Sequence, residues 1–202
     1  MLFRSVLGVA LSFARAPGEN VGSYLITPSG LTSANYAITF NTGNLTITKV
    51  ALSVTADAKT KTFGTADPAF TVSYAGFVNS ETPAVLGGTL AFTRAPGETV
   101  GAYLITPSGL TSANYTITFN TGTLTIVAPA PVILPLARLG TTNIVIMWTA
   151  VSNATYRVQY NPVLNTTNWT ALVGDVIATG STASKTDILA TTNRFYRVQV
   201  LP

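Results

Sequence analysis

The chain has few side chains suited to catalysis: seven carboxylates, no histidine and no cysteine. The usual general base, the commonest metal ligand and the thiolate nucleophile are therefore missing. Asp57 and Asp67 flank one loop region and could meet as the carboxylate pair of a glycosidase, or as a weak calcium site. The D-x-D runs of calcium loops do not occur, however. We expect both residues to cap turns, and we expect no catalysis, no cofactor and no metal.

Two other sets of residues could do chemistry. Some adhesins cross-link a lysine to an asparagine beside a buried acid. The residue types for this are present as Lys59 or Lys61 with Asn114 or Asn120, and Asp57 or Asp67 as the acid. Because these types are common, their presence alone does not select this chemistry.

An arginine and a glutamate bracket the sequence Ala-Pro-Gly twice, as Arg15 with Glu19 and as Arg94 with Glu98. One interpretation is a repeated ligand patch. We favour a local ion pair across a turn, which is worth about 0–1 kcal/mol.

Trp169 follows a polar stretch and is the best candidate for an exposed aromatic ring on which a sugar could stack. Together with Arg157 and Arg197, which we expect on the outer face of a sheet, it predicts a weak ligand-binding surface. Packing over the sheet edge is the favoured alternative, because a tryptophan usually buries most of its area.

The composition is typical of β-sheets coated with threonine. Charged residues make up 9% and apolar residues 47% of the 202 positions, against about 25% charged in an average soluble domain. The net charge of +4 is scattered, so we expect no nucleic-acid partner. The longest apolar run, Val6–Ala14, is interrupted and is about half of the roughly 20 residues that a membrane span needs.

A near-identical repeat organises the chain. Thirty of the 35 residues in Phe13–Ile47 recur in Phe92–Ile126, at an offset of 79 residues. This period is the length of a small domain and exceeds that of a solenoid turn. Such identity indicates recent duplication within a longer array, and it favours a structural or adhesive role over divergent catalytic roles.

The repeat divides the chain into segments. Residues 1–49 are the rear half of one repeat, residues 50–127 a complete repeat, residues 128–131 a Pro/Ala linker, and residues 132–202 a separate domain. Residues 1–5 do not match the repeat, and our hypothesis is that they are foreign to the natural protein. Period-2 alternation predicts small antiparallel or mixed β domains, with a hairpin at Asn120–Gly122 and one helical turn within Ser80–Leu86, capped by Ser80 or Thr82.

The complete repeat resembles the MBG family of bacterial cell-surface repeats, in its YGX form. The residues that carry the resemblance are Leu52–Thr55, Lys61–Gly64, Ala66–Pro68, Gly76–Asn79, Gly101–Tyr103, Asn114–Tyr115 and Gly122–Ile126. Phe63 stands where the family usually has Tyr before Gly. The resemblance implies an all-β fold, Ig-like or β-grasp-like, in a large secreted adhesin-like protein.

Residues 132–202 resemble a fibronectin type III domain. Trp148 matches the second-strand tryptophan, Tyr156–Tyr160 the third strand, Tyr196–Val198 the sixth, and Leu189 the loop leucine. The resemblance implies a β-sandwich, and the chain stops before a seventh strand.

These observations predict a non-enzymatic spacer or stalk in an extracellular or cell-surface repeat protein. Two alternatives remain open. The first is a carbohydrate-binding or adhesive module whose partners are surface glycans or other extracellular matrix components. The second is an accessory region of a secreted hydrolase with its catalytic domain upstream.

Overall fold

The computed structural model describes residues 7–164, 167–188 and 193–201. The sequence predicts an all-β fold, and the described residues confirm it with nineteen strands and one 3₁₀ turn. Residues 1–5 and Leu189 lie outside the described residues. Contacts group the chain into two compact units. The first comprises Met1–Val54, Tyr74–Leu90 and Gly109–Thr118, and the second comprises Thr55–Ser73, Ala91–Ser108 and Phe119–Pro202.

From residue 7 onward, the first segment has five short strands: β1 (Leu7–Gly8), β2 (Ser12–Arg15), β3 (Gly22–Ser29), β4 (Thr32–Ser33) and β5 (Gly43–Ile47). They form the sheets β1-β4 and β2-β3-β5. Both neighbours of β3 run antiparallel to it, and Gly22 pairs with Ile47 at the end of the sheet.

The complete repeat has seven strands in two sheets. They are β6 (Val50–Ala56), β7 (Lys59–Thr62), β8 (Val72–Ala75), β9 (Gly87–Arg94), β10 (Gly101–Thr111), β11 (Tyr115–Asn120) and β12 (Gly122–Val127). One sheet has the order β7-β12-β10-β9 and the other β11-β6-β8. Because β7 pairs with β12 in parallel, the repeat is a mixed β fold, which is one of the two forms that the sequence predicts.

The hairpin predicted at Asn120–Gly122 is wrong, because β11 and β12 belong to different sheets. Only Thr121 separates them, and the chain crosses from one sheet to the other there. Gly122 permits the crossing: a Cβ at this position would lie 2.4 Å from the carbonyl oxygen of Ala56. The glycine that resembled a hairpin signal thus allows close backbone approach.

The predicted helical turn is confirmed as a 3₁₀ turn at Pro83–Val85. Thr82 is at its N-cap position, although its side chain makes no capping hydrogen bond. Upstream, Asn79 and Ser80 both have positive φ, and the N–H of Glu81 donates to the carbonyl of Val78. Positive φ at both central residues is the geometry of a type I′ turn.

The C-terminal segment has seven strands among its described residues. They are β13 (Ala137–Leu139), β14 (Asn143–Thr149), β15 (Thr155–Asn161), β16 (Thr170–Ala171), β17 (Val176–Ile177), β18 (Thr182–Ile188) and β19 (Phe195–Val200). One sheet has the order β13-β14-β18, and in the other β15 pairs with β16, β17 and β19. The near-copies Tyr156–Tyr160 and Tyr196–Val200 are antiparallel partners centred on Val158 and Val198.

The two largest buried clusters follow the alternation of the strands. In the repeat, Ala56, Ile105, Leu124 and Ile126 pack with three partly buried aromatic residues. In the C-terminal segment, a cluster of nine buried residues includes the fully buried Trp148 and Tyr156, whose ring centroids are 5.8 Å apart. Trp148 lies on the central strand of its sheet, as predicted, but Met147 on the opposite face is exposed.

Candidate functional site

The most concentrated group of charges is the Lys61 cluster, which comprises Lys61, Asp67, Arg94 and Glu98. Lys61 Nζ donates to Asp67 Oδ1 at 2.6 Å and to Glu98 Oε2 at 2.5 Å. Arg94 Nε donates to Asp67 Oδ2 at 2.7 Å, and its NH2 group donates to Glu98. Lys61 is only 7% exposed because it points inward on β7, beside the buried Ile126 of β12.

The Lys61 cluster is balanced in charge, with two cations and two anions. Hydrogen bonds from Lys61 hold the pKa of Asp67 and of Glu98 below their ordinary values. Hydrogen bonds to Asp67 and then to Glu98 raise the pKa of Lys61. Every member is therefore stabilised in its charged form, the form that suits an ion-pair network and not a neutral amine or a proton donor near pH 7.

Asp57 and Asp67 bond to different partners. Asp57 accepts hydrogen bonds of 2.5 Å from the hydroxyls of Thr71 and Ser73, and the bond from Ser73 is the main cause of its lowered pKa. Asp67 belongs to the Lys61 cluster. Within residues 7–164, 167–188 and 193–201, no group of three or more acidic, histidine or cysteine side chains could hold a metal ion.

The residues named for a lysine–asparagine cross-link make other contacts. Lys61 contacts the two carboxylates above, whereas Asn120 Nδ2 donates to Thr55 Oγ1 and Asn114 bonds to Asn20 and Val21. Lys49 Nζ donates to the carbonyl of Ser112, two residues before Asn114.

The two Arg–Glu pairs form the same local contact in different surroundings. In both copies the arginine bonds to the glutamate four residues on and lies 5.4 Å from the centroid of a tyrosine ring. The pair Arg15–Glu19 is the local ion pair that the sequence predicts. In the second copy, Arg94 also donates to Asp67, and Glu98 also accepts from Lys61. The sequence signal for this link is a lysine at an inward position of β7.

Trp169, Arg197 and Arg157 lie along the outer face of the sheet around β15. Arg197 lies 4.6 Å from the centroid of the Trp169 ring and donates to Gln159 at 2.7 Å. Arg157 makes a two-pronged ion pair with Asp175, with both distances 2.8 Å. The structure thus brings Trp169 and Arg197 into contact and engages Arg157 with an acid that the sequence analysis did not select.

Asp187 is a buried acid that the sequence analysis missed. It accepts hydrogen bonds from Arg194 at 2.7 and 2.8 Å and from the hydroxyl of Tyr196 at 2.8 Å. Burial and the bond to Asp187 raise the pKa of Tyr196 strongly. Arg194 also lies 3.9 Å from the ring centroid of Tyr160. The contacts around Asp187 therefore connect β15, β18 and β19, and we interpret their role as structural.

The sequence analysis also missed a hydrogen-bonded junction between the first segment and the complete repeat. Asn114 Oδ1 accepts from the N–H of Val21 at 3.0 Å, and Asn114 Nδ2 donates to Asn20 Oδ1 at 2.8 Å. Lys49 Nζ donates to the carbonyl of Ser112 at 3.0 Å. Only two residues, 48 and 49, connect β5 to β6. We call these contacts the repeat junction.

Tyr115 anchors the receiving side of the repeat junction. It is 2% exposed, accepts from the N–H of Val78 at 3.1 Å and donates to the carboxylate of Glu81. Its counterpart in the first segment, Tyr36, is 69% exposed. The type I′ turn at 78–81 therefore has a structural purpose, since it delivers two partners to one buried hydroxyl.

The Phe63-Gly-Thr65 motif forms a β-turn after β7. The N–H of Thr65 donates to the carbonyl of Thr62 at 3.1 Å, and Gly64 has φ of 85°. A positive φ at the third turn residue is what a type II turn requires, and glycine supplies it without strain. Phe63 is 41% exposed, which explains why the ring tolerates the loss of the tyrosine hydroxyl.

The structure holds no helix, over the residues it describes, with the length and apolar content to cross a membrane. No curated protein matches the chain significantly. The family of the MBG domain (YGX type) matches residues 4–46 and 52–125. The two matched segments follow the repeat and together cover more than half of the 202 residues, and the chain therefore belongs to the MBG domain family of the YGX type.

Proposed function

We propose that this chain is a non-enzymatic spacer segment of a secreted or cell-surface bacterial repeat protein. The observation that carries the proposal is the repeat junction. The rear half of one repeat and the complete repeat that follows it are connected by two residues and held by three hydrogen bonds that involve side chains. A spacer needs successive modules to keep a fixed orientation, and a flexible tether of glycine and serine would not provide it.

The repeat junction resists bending because its contacts are specific in direction. Asn114 uses both its oxygen and its nitrogen, so a rotation about residues 48 and 49 breaks two bonds at once. The N–H of Val50 also donates to the carbonyl of Asn114 at 3.1 Å. The first strand of the complete repeat is thus fixed to the residue that holds the preceding segment.

Distances between spin labels test the rigidity of the repeat junction. The chain has no cysteine, so exposed positions Thr27 and Ala84 can be labelled as a unique cysteine pair. We expect one narrow distance distribution, and we expect Gly-Ser inserted between Thr48 and Lys49 to broaden it. The control is Asn44→Thr, an exposed change away from the junction. A broad distribution in the unmodified chain would contradict a spacer role.

The cell-surface location is a second element of the proposal, and the family resemblance supports it. Protease treatment of intact cells of the source organism, followed by detection of peptides from residues 50–127, tests it. Release of these peptides is the expected outcome. Their retention until cells are lysed would refute the location without affecting the rigidity of the junction.

We also propose that residues 132–202 are a fibronectin type III-like sandwich. The sheet β13-β14-β18 and the pairing of β15 with β19 support this, because the third and sixth strands are neighbours in sandwiches of this architecture. Amide-to-amide nuclear Overhauser contacts in the full chain test it. Cross-strand contacts between β14 and β15 in place of β15 and β19 would contradict the assignment.

A second candidate function is glycan binding on the outer face around β15. Trp169, Arg197, Gln159 and Arg157 form a row of planar side chains with donors for sugar hydroxyls. Arg197 covers one face of the Trp169 ring, so a sugar would have to use the other face. A glycan array with the full chain tests this, with Trp169→Ala as the loss variant and Met147→Ala as the control. Equal signals from the two variants would exclude this face.

A further inference from the structure

Each copy of the repeat presents the same end face, which we define as residues 20–23 with 46–49 in the first segment and residues 99–102 with 125–128 in the complete repeat. The strand ends have the same register in both copies, since Gly22 pairs with Ile47 and Gly101 pairs with Ile126. The two end faces are thus equivalent surfaces on the same fold.

The two end faces contact different neighbours. Asn20, Val21 and Lys49 of the first end face bond to Asn114 and Ser112 of the next repeat.

On the second end face, Val100 packs against the buried cluster around Trp148, and Ala128 is a member of that cluster at 8% exposure. A mainly apolar cavity of about 480 Å³ lies beside this contact. It is lined by Val100, Ala102, Val127, Ala128, Val200 and Leu201, among others.

The differences between the two copies concentrate on the end faces. Residues 6–49 and 85–128 differ at ten positions. Four of these fall among the eight end-face positions, and six are spread over the other thirty-six. The four end-face differences are Asn20/Thr99, Ser23/Ala102, Thr48/Val127 and Lys49/Ala128. Three of the four replace a polar residue by an apolar one.

The physical reason is clearest at the last position. A lysine in place of Ala128 would carry an ammonium group into a buried apolar cluster, which is costly for an unpaired charge. An alanine in place of Lys49 would remove the donor to the carbonyl of Ser112. Each residue therefore suits its own neighbour and is unsuited to the other.

We infer that these four positions determine which module docks on the end of a repeat. The polar set docks a second copy of the repeat, through Asn114 and Ser112. The apolar set docks the C-terminal sandwich. The same scaffold can therefore be extended by another repeat or terminated by the sandwich with only four substitutions.

The test transfers each set to the other end face in the full chain. The polar-face variant carries Thr99→Asn, Ala102→Ser, Val127→Thr and Ala128→Lys. Its matched control carries three exchanges away from the end face, Thr93→Ala, Thr116→Ala and Thr123→Asn. We expect nuclear Overhauser contacts from the Val100 methyl groups to the sandwich core to be lost in the variant and kept in the control.

The reciprocal variant carries Asn20→Thr, Ser23→Ala, Thr48→Val and Lys49→Ala. These changes lie mainly on exposed residues, so we expect it to fold. Asn114 accepts the hydrogen bond from the Val21 amide, and the variant removes the Asn20 side chain that holds Asn114 in place. Hydrogen exchange of the Val21 amide should therefore become several-fold faster. Unchanged exchange of that amide would overturn the role of the polar set.

Retained Val100 contacts in the polar-face variant would overturn the role of the apolar set. If that variant does not fold, the milder pair Ala102→Ser with Val127→Thr decides the question. Weakened contacts would support the inference, and contacts as strong as in the control would overturn it.

Discussion

Trp148 and Trp169 differ in burial, and truncation of each should separate a core residue from a surface one. Trp148 is 0% exposed and lies at the centre of the C-terminal core. Trp169 is partly exposed and touches Arg197. We predict that Trp148→Ala costs about 3–5 kcal/mol of the free energy of unfolding, and that Trp169→Ala costs clearly less.

The magnitude follows from the area that the ring buries. A buried tryptophan removes about 150–250 Å² from water, which at about 25 cal/mol per Å² gives roughly 4–6 kcal/mol. Two terms reduce this figure. Alanine keeps part of the contact, and the Trp148 Nε1 donor is buried with no hydrogen-bond partner among the described residues. An unpaired buried donor costs about 1–3 kcal/mol, and truncation relieves that cost.

The unpaired Nε1 donor of Trp148 suggests a further variant, in which loss of the donor raises stability while loss of ring area lowers it. Trp148→Phe removes Nε1 and keeps an aromatic ring beside Tyr156. We therefore expect it to cost less than half as much as Trp148→Ala. If the two variants lose the same stability, the unpaired donor has no energetic consequence.

Urea denaturation followed by far-ultraviolet circular dichroism measures all three variants. Met147→Ala, an exposed change on the same strand, is the control for effects of the strand itself. Because small domains have only about 5–15 kcal/mol of stability, Trp148→Ala should unfold the C-terminal segment at low urea. Equal losses from Trp148→Ala and Trp169→Ala would show that Trp169 is a core residue and would refute the reasoning.

Three further predictions use matched residues. Tyr115→Phe should lower the urea midpoint, because a backbone N–H loses its acceptor, whereas Tyr36→Phe at the equivalent exposed position should not; equal shifts would contradict this. The two carboxylates of the Lys61 cluster have lowered pKa values, so they contribute stability to the fold at pH values above their ordinary pKa, near pH 4. This stability is lost as the pH falls through the lowered pKa values. Lys61→Met should therefore move acid unfolding to higher pH, unlike Lys59→Met, and identical acid midpoints would argue against the cluster. Asp187→Ala should cost about 3–5 kcal/mol, because it leaves a largely buried arginine unpaired, and a thermal shift below one degree would exclude a structural role.

The sequence predicts local features of this fold well. Alternation correctly predicts that Tyr156 and Val158 point into the core and that Arg157 points outward. It also places Trp148 on a central strand and a helical turn before β9. These features depend on side chains close in the chain, and period-2 patterning records them directly.

Long-range pairing is where the prediction from sequence stops. Asn120–Gly122 has the composition of a hairpin turn. No hairpin forms there because β12 pairs with β10 and β7. The Lys61 cluster likewise joins residues 61, 67, 94 and 98, and the relevant signal is the inward position of one lysine. The repeat junction joins residues about 94 positions apart, and no local pattern marks it.

The repeat itself shows why local sequence does not determine a strand here. Residues 36–41 and 115–120 are identical except for Ala37 in place of Thr116. Residues 115–120 form β11, whereas residues 36–42 form no strand. A single change from alanine to threonine shifts strand propensity by less than about 1 kcal/mol, too little to explain a complete loss of pairing.

The difference lies in the neighbour. β11 pairs with β6, and among the described residues no equivalent of β6 faces residues 36–42. Cross-strand contacts therefore stabilise β11 more than its own residues do. The same reasoning applies to the end faces, where nearly identical residues bond to Asn114 in one copy and pack against the C-terminal sandwich in the other. In a tandem array of this kind, the copies share their alternation, and the neighbours determine which strands form and which surfaces are buried.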